Sequence, residues 1–314
     1  MSHELVSQRR FNLLEEVLYP LQAFLEDDKI IEIMLNPDHK IWVDEAGVGM
    51  YNTGICMPPS KSEQLIRLVA RHMNTEVSEL KPSLQGKLPH WNFRVQASLP
   101  PIVDAPTFAF RKPSKFILTL ADYVKNGVMT KEQATTLQQA VLARKNILVG
   151  GGAGSGKSTL ANALLDVIPA GKERLYIVED TRELQCSVEN HLKVLVFPPV
   201  YTFRHAVMDA LRYRPDRIIL GEVRDGAALD LLKAWNTGHP GGIATLHADS
   251  TTSMLDRMAQ LTEEVVPVAP YRLIAEAINM CVHIESDSTV KAGRKVTGIV
   301  EVKGFCQKAG WIFK

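Results

Sequence analysis

Leu13, Leu14, Val17, Leu18 and Leu21 recur at the spacing of one helix face, and Pro20 interrupts that pattern. Ile30–Leu35 then predicts a strand, Asn36-Pro37-Asp38 a turn, and residues 40–44 a second strand before a glycine-rich turn. Ser62 is placed to cap a helix that carries Leu65, Ile66, Val69 and Met73 on one side. Residues 93–99 and 107–110 predict strands around Pro100-Pro101. Helical and strand periods thus mix over residues 1–112, which reads as a small α+β domain.

Pro113 opens a stretch, residues 113–130, that reads as a linker. Beyond it the texture changes. Thr130 and Gln133 have capping-box spacing, and Ala134, Leu137, Val141 and Leu142 continue a helix. A strand over 146–149, a glycine loop and a helix over 157–168 follow, closed by Pro169 and Gly171. Further strands are predicted at 175–178, 194–197, Arg217–Leu220 and 242–246, most of them separated by helical stretches. Strands alternating with helices imply a largely parallel sheet covered on both faces. The expected fold class is therefore α/β over residues 131–314, preceded by the smaller α+β domain.

Composition narrows the function. The chain has 314 residues, enough for about two domains. It is 46% hydrophobic and 23% charged, which excludes wholesale disorder. A net charge of +1 gives no basic excess of the kind that coating nucleic acid calls for. No apolar run approaches the ~20 residues of a membrane-spanning helix. Arg9-Arg10-Phe11 leads into a segment with Glu15, Glu16 and Glu26 rather than an apolar export region, so the start is read as part of the mature protein. Cys56, Cys186, Cys281 and Cys306 are scattered, without a CxxC pair, and read as free thiols of a reducing cytosol.

The candidate chemistry begins at Gly151-Gly152-Ala153-Gly154-Ser155-Gly156-Lys157-Ser158, which satisfies GxxxxGK[ST] between a strand and a helix that continues with Thr159. Glycines let the backbone curl so that its N–H groups surround phosphate oxygens, and the helix adds its positive end. Lys157 is placed to reach the β- and γ-phosphates, and the Ser158 hydroxyl to ligate Mg²⁺. ATP and Mg²⁺ are the implied cofactors. Glu222 follows the strand Arg217–Leu220 and stands as general base for the attacking water and as a metal-side carboxylate. Glu179, Asp180 and Glu183 follow another strand. They serve either the metal, with Glu179 acting through water, or a helix cap. His239 and His247 flank a strand, so they sit at its opposite ends and a shared metal is not expected. Arg212, Arg214 and Arg217 read as intersubunit contacts or as surface charge.

Taken in order, the phosphate loop, the acidic box, Gly221-Glu222-Val223-Arg224-Asp225 and the histidine box 237–248 resemble the secretion, or traffic, ATPases. These energise type II secretion, type IV pili and type IV secretion. Leu35-Asn36-Pro37, Ile41-Trp42-Val43, Arg94-Val95-Gln96-Ala97-Ser98-Leu99-Pro100-Pro101 and Phe110-Arg111-Lys112-Pro113 are similar to the type IV secretion branch, and most similar to TrbB-type ATPases of plasmid conjugal transfer. The resemblance implies a RecA-like ATPase domain, a ring of six subunits, and nucleotide held between two domains. It also implies docking onto inner-membrane components of a secretion or conjugation apparatus, from the cytoplasmic side and without insertion. It makes Glu222 the catalytic glutamate, gives Glu179, Asp180, Glu183, His239 and His247 places around the nucleotide, and makes Arg94 and Arg111 arginines that approach its phosphates. Ala153 departs from the family's usual threonine. The rival readings are a pilus or type II secretion ATPase and a DNA-handling P-loop ATPase. For the leading reading, nucleic acid is not required for ATP binding.

Overall fold

A computed structural model of the chain describes residues 3–73, 75–88, 91, 93–113 and 117–314, with the backbone alone for 3–10. It divides into two compact units, Met1–Lys115 and Phe116–Lys314.

In the first unit α1 (His3–Leu18) runs into a 3-10 turn, Tyr19–Leu21, and then α2 (Gln22–Glu26). Pro20 sits at the start of that turn, where its missing N–H costs nothing. Strands β1 (Ile30–Leu35), β2 (Lys40–Glu45), β3 (Gly49–Cys56), β4 (Ser83–Lys87), β5 (Arg94–Ser98) and β6 (Thr107–Arg111) form one antiparallel sheet in the order β3-β2-β1-β6-β5-β4. Alternation decides its inner face. Ile33 and Leu35, Ile41 and Val43, Val95 and Ala97, and Phe108 and Phe110 all enter the core, beneath Leu14, Leu18, Leu65 and Val69 of the helices. The helix over Pro59–His72, α3, begins at Pro58-Pro59 rather than at Ser62. Ser62 is buried one turn inside, and its hydroxyl donates to Pro58 O and Pro59 O at 3.3 and 3.0 Å.

The second unit starts inside the stretch expected as a linker. Leu120–Lys125 forms α4, capped by a Thr119–Asp122 box, and Leu120, Tyr123, Val128 and Met129 enter the core. Six residues are too few to show a helical period, which is why the pattern hides this element. After it come α5 (Lys131–Leu142), β7 (Ile147–Gly150), α6 (Lys157–Asp166), β8 (Leu175–Glu179), β9 (His191–Leu195), α7 (Phe203–Ala210), β10 (Arg217–Leu220), α8 (Ala227–Asn236), β11 (Ile243–Leu246), α9 (Thr251–Glu263), α10 (Tyr271–Ala277), β12 (Met280–Ser286), β13 (Arg294–Cys306) and β14 (Gly310–Phe313). The sheet order is β14-β13-β12-β7-β11-β10-β8-β9. From β12 to β9 the strands are parallel, and β13 and β14 extend the sheet antiparallel.

Neighbouring residues of each central strand serve opposite cores. Leu148, Tyr176, Val178, Ile218 and Leu220 pack with α7–α10, whereas Ile147, Val149, Leu175, Ile177 and Ile219 pack with α4–α6. Strands buried on both faces read as continuous apolar runs, as these do.

The amino-terminal edge of this sheet is pinned by two buried polar side chains. Asn146 Oδ1 accepts from Gly241 N and Gly242 N at 2.7 and 2.9 Å, and its Nδ2 donates to Ala277 O at 2.6 Å. Arg217, 1% exposed, is neither surface charge nor available to a neighbouring subunit. It holds both carboxylate oxygens of Glu173 and donates to Val141 O and Gly241 O.

Candidate functional site

Four strand tips meet at the opposite, carboxyl edge. Gly150 pairs with Leu246, and Leu220 pairs with both Ala244 and Val178. The segments after β7, β11, β10 and β8 therefore all leave where α/β sheets take ligands.

Residues 151–156 link β7 to α6. A Cβ on Gly151 would fall 2.1 Å from Ile284 O and 2.5 Å from Ser155 Oγ, so the loop folds against the end of β12 only because that residue is glycine. Lys157, the first residue of α6, is 8% exposed. Its ammonium donates to Gly151 O at 3.0 Å and Gly152 O at 2.8 Å, and lies 3.4 Å from His247 Nδ1. Burial pushes this ammonium's pKa below the usual lysine range, while the charges of Glu222 and Glu183 oppose that shift.

Glu222 follows Gly221 at the tip of β10. Thr245 on β11 fixes that turn: its hydroxyl donates to Gly221 O at 2.5 Å, and its carbonyl accepts from Val223 N at 2.9 Å. The Glu222 carboxylate lies 2.6 Å from Arg224 Nη2 and 3.1 Å from His247 Nε2. Arg224 Nη1 reaches Asp180 Oδ2 at 2.6 Å. The result is one connected chain, Asp180–Arg224–Glu222–His247–Lys157. A neutral imidazole with its proton on Nε2 satisfies it, donating to Glu222 and accepting from Lys157.

The acidic box divides by role. Glu179, 1% exposed, spends Oε1 on Glu183 N and Leu184 N at 2.7 and 2.6 Å. Its Oε2 is buried without a hydrogen-bond partner. Burial raises its carboxyl above the ordinary value, and the two backbone donors pull it partly back. Glu179 thus folds the loop that presents Glu183. Asn162 on α6 steadies the same loop, donating to Glu183 O at 3.1 Å and accepting from Gln185 N at 2.8 Å. Glu183 Oε2 accepts from Ser158 Oγ at 2.7 Å.

These donors suit Mg²⁺. A hydroxyl and a carboxylate, both hard oxygens, sit side by side at the end of the phosphate loop. Among the described residues no group of three or more His, Cys, Asp or Glu forms a metal cage.

The remaining expectations fall elsewhere. Thr159 is the third residue of α6, and Ala153 lies in the loop. His239 precedes β11 and so stands at the amino-terminal edge, with Nδ1 buried and unpartnered. A four-residue strand, roughly 13 Å at the usual rise, separates that edge from His247, so His239 is not beside the phosphate loop of its own chain. Arg94 and Arg111 belong to the first unit, where they are exposed, directly opposed partners on β5 and β6, and Glu32 of β1 faces Arg111. Two site residues escape a reading of the sequence. Arg224 carries no signal that would choose its partners, whereas Asn162, an amide between Ala161 and Ala163 on a buried helix, does stand out.

Comparison with known proteins agrees with this picture. Residues 80–296 match the family described as type II/IV secretion system protein. The chain is 42% identical over 283 residues to a probable conjugal transfer protein TrbB of Sinorhizobium fredii, covering 90% of this chain and 86% of that one. It is 30% identical over 290 residues to the type IV secretion system protein VirB11 of Bartonella quintana, covering 79% and 80%. The crystal structure of the VirB11 ATPase from the Brucella suis type IV secretion system, in complex with sulphate, covers 94% of this chain and 96% of its own, at 26% identity and a TM-score of 0.51. Among the described residues no helix is long and apolar enough to cross a membrane.

Proposed function

The chain belongs to the family of type II/IV secretion system proteins, and on that premise we propose that it is the ATP-hydrolysing motor of a type IV secretion or conjugal transfer system. The second unit is then a RecA-like ATPase domain. Residues 151–156 cradle the phosphates with their N–H groups, and Lys157 turns from its loop carbonyls to the β- and γ-phosphates. Ser158 would ligate Mg²⁺, with Glu183 beside it, and the bound ion would supply neutralisation of phosphate charge. Glu222 takes the proton of the attacking water and His247 holds the carboxylate in place.

The observation that carries this reading is the convergence of Lys157, Glu222 and His247 after three strands, with His247 within reach of both the ammonium and the carboxylate. Arg94 and Arg111 fit the same chemistry. A supplied arginine is worth roughly 10³–10⁵ in phosphoryl-transfer rate. Such arginines would couple hydrolysis to movement of the first unit. We further propose a ring of six subunits at the cytoplasmic side of the inner membrane, held there by the membrane components of the apparatus.

Glu222→Gln tests the core of the proposal. Turnover of Mg-ATP should fall about 10²–10⁴-fold while nucleotide binding persists. Unchanged turnover removes Glu222 from the mechanism. Activity followed against protein concentration, with mass measured in parallel, tests the ring: a steep rise should coincide with a sixfold mass.

A further inference from the structure

The hairpin of β12 and β13 brings a cation to the phosphate loop that the motifs do not include. Ser286 and Arg294 are the last cross-strand pair of that hairpin, next to its turn. β12 runs parallel to β7, so this turn lies at the carboxyl edge, beside residues 151–156. Gly156 has φ +100°, and a Cβ built on it would fall 2.5 Å from Arg294 Nη1 and 3.3 Å from its Cδ. The guanidinium therefore occupies the space that a side chain at Gly156 would need. The same hairpin presses Ile284 O against Gly151, so both ends of the loop are closed in by one supersecondary unit.

Arg294 is half-buried, and among the described residues it has neither a hydrogen bond nor an ion pair. Its charge acts on Tyr123 of α4, whose hydroxyl is buried and, among the described residues, likewise has no hydrogen-bond partner. A guanidinium is always charged, carries five donors and loses much by partial burial without an acceptor. Here it shares a loop with a second cation, Lys157, and the repulsion between them is relieved by an anion bound between them.

We propose that Arg294 is a phosphate-binding residue of the nucleotide site, supplied by the same chain as the phosphate loop. The inference rests on the nucleotide reading above and extends it. The planar fork of Arg294 matches phosphate oxygens better than an ammonium does.

The test uses the full chain with Mg²⁺ and measures binding of ATP, ADP and inorganic pyrophosphate by calorimetry for wild type, Arg294→Gln and Arg294→Lys. Thermal unfolding without ligand checks that each variant is folded. Arg294→Gln should weaken all three ligands by about ten- to a hundredfold, the loss expected for hydrogen bonds to a charged group. Arg294→Lys should recover part of that loss. Equal affinities in wild type and both variants overturn the proposal. A loss confined to ATP and ADP, with pyrophosphate unaffected, also overturns it, because the contact would then be to the nucleoside. If wild type binds none of the three, the nucleotide reading itself fails and the proposal with it.

Discussion

The two edges of the parallel sheet are both rich in polar side chains, yet they are built on different terms. At the amino-terminal edge every polar atom of the Asn146 and Arg217 side chains is engaged, mostly by backbone groups. At the carboxyl edge the partners are side chains that hold one another, and Ser155 Oγ and Glu179 Oε2 are buried with nothing to bond among the described residues. Saturated polar groups fix a fold. Exchangeable ones, paired side chain to side chain, make a site. Burial alone does not separate the two, since Arg217 and Glu179 are equally hidden at 1% exposure.

The sharpest break of this contrast is Arg217→Ala. Removing one partner leaves Glu173 and two carbonyls uncompensated, and unfolding measured by denaturant should show a loss of about 3–5 kcal/mol. Nucleotide affinity of the molecules that remain folded should not change. Lys157→Ala is the converse. Affinity for Mg-ATP should fall by about 2–3 kcal/mol, the worth of a charge-assisted hydrogen bond or slightly more. Stability without nucleotide should fall less than in Arg217→Ala, by about 1–2 kcal/mol, because the carbonyls of Gly151, which is buried, and Gly152 lose one donor.

Glu179→Gln gives the smallest effect and tests the orphaned oxygen. The carboxyl binds its proton more tightly in the folded protein than at its ordinary 4.5, so its contribution to stability declines as pH rises from there through the raised value. A glutamine keeps the acceptor for Glu183 N and Leu184 N and does not ionise. Wild-type stability should therefore slope downward over that pH range relative to the variant. Parallel curves would mean that Glu179 is not held above its ordinary value.

Much of this arrangement was legible in residue order because the chemistry is local. A phosphate loop needs its glycines, lysine and serine in consecutive positions, and strands buried on both faces announce themselves as short apolar runs. What stayed hidden depends on distant pairing. Arg224 acts through Asp180, 44 residues away, and nothing near it names that partner. β13 shows no clean strand period, since it mixes Lys295, Thr297, Glu301 and Lys303 with its apolar residues on a partly exposed surface. His239 shows the opposite hazard. Its neighbours form a recognisable box, but a box that spans a strand is divided by it between two edges.

The enclosure of the phosphate loop by Ile284 and Arg294 has a consequence for the order of events during synthesis. Residues 151–158 leave the ribosome more than a hundred residues before the hairpin that walls them in. A nascent chain can lay down β7 and α6 early, yet the loop between them stays without its outer wall until residues 284–294 have followed. Any ligand of that loop meets the finished wall only after this hairpin has folded against Gly151 and Gly156.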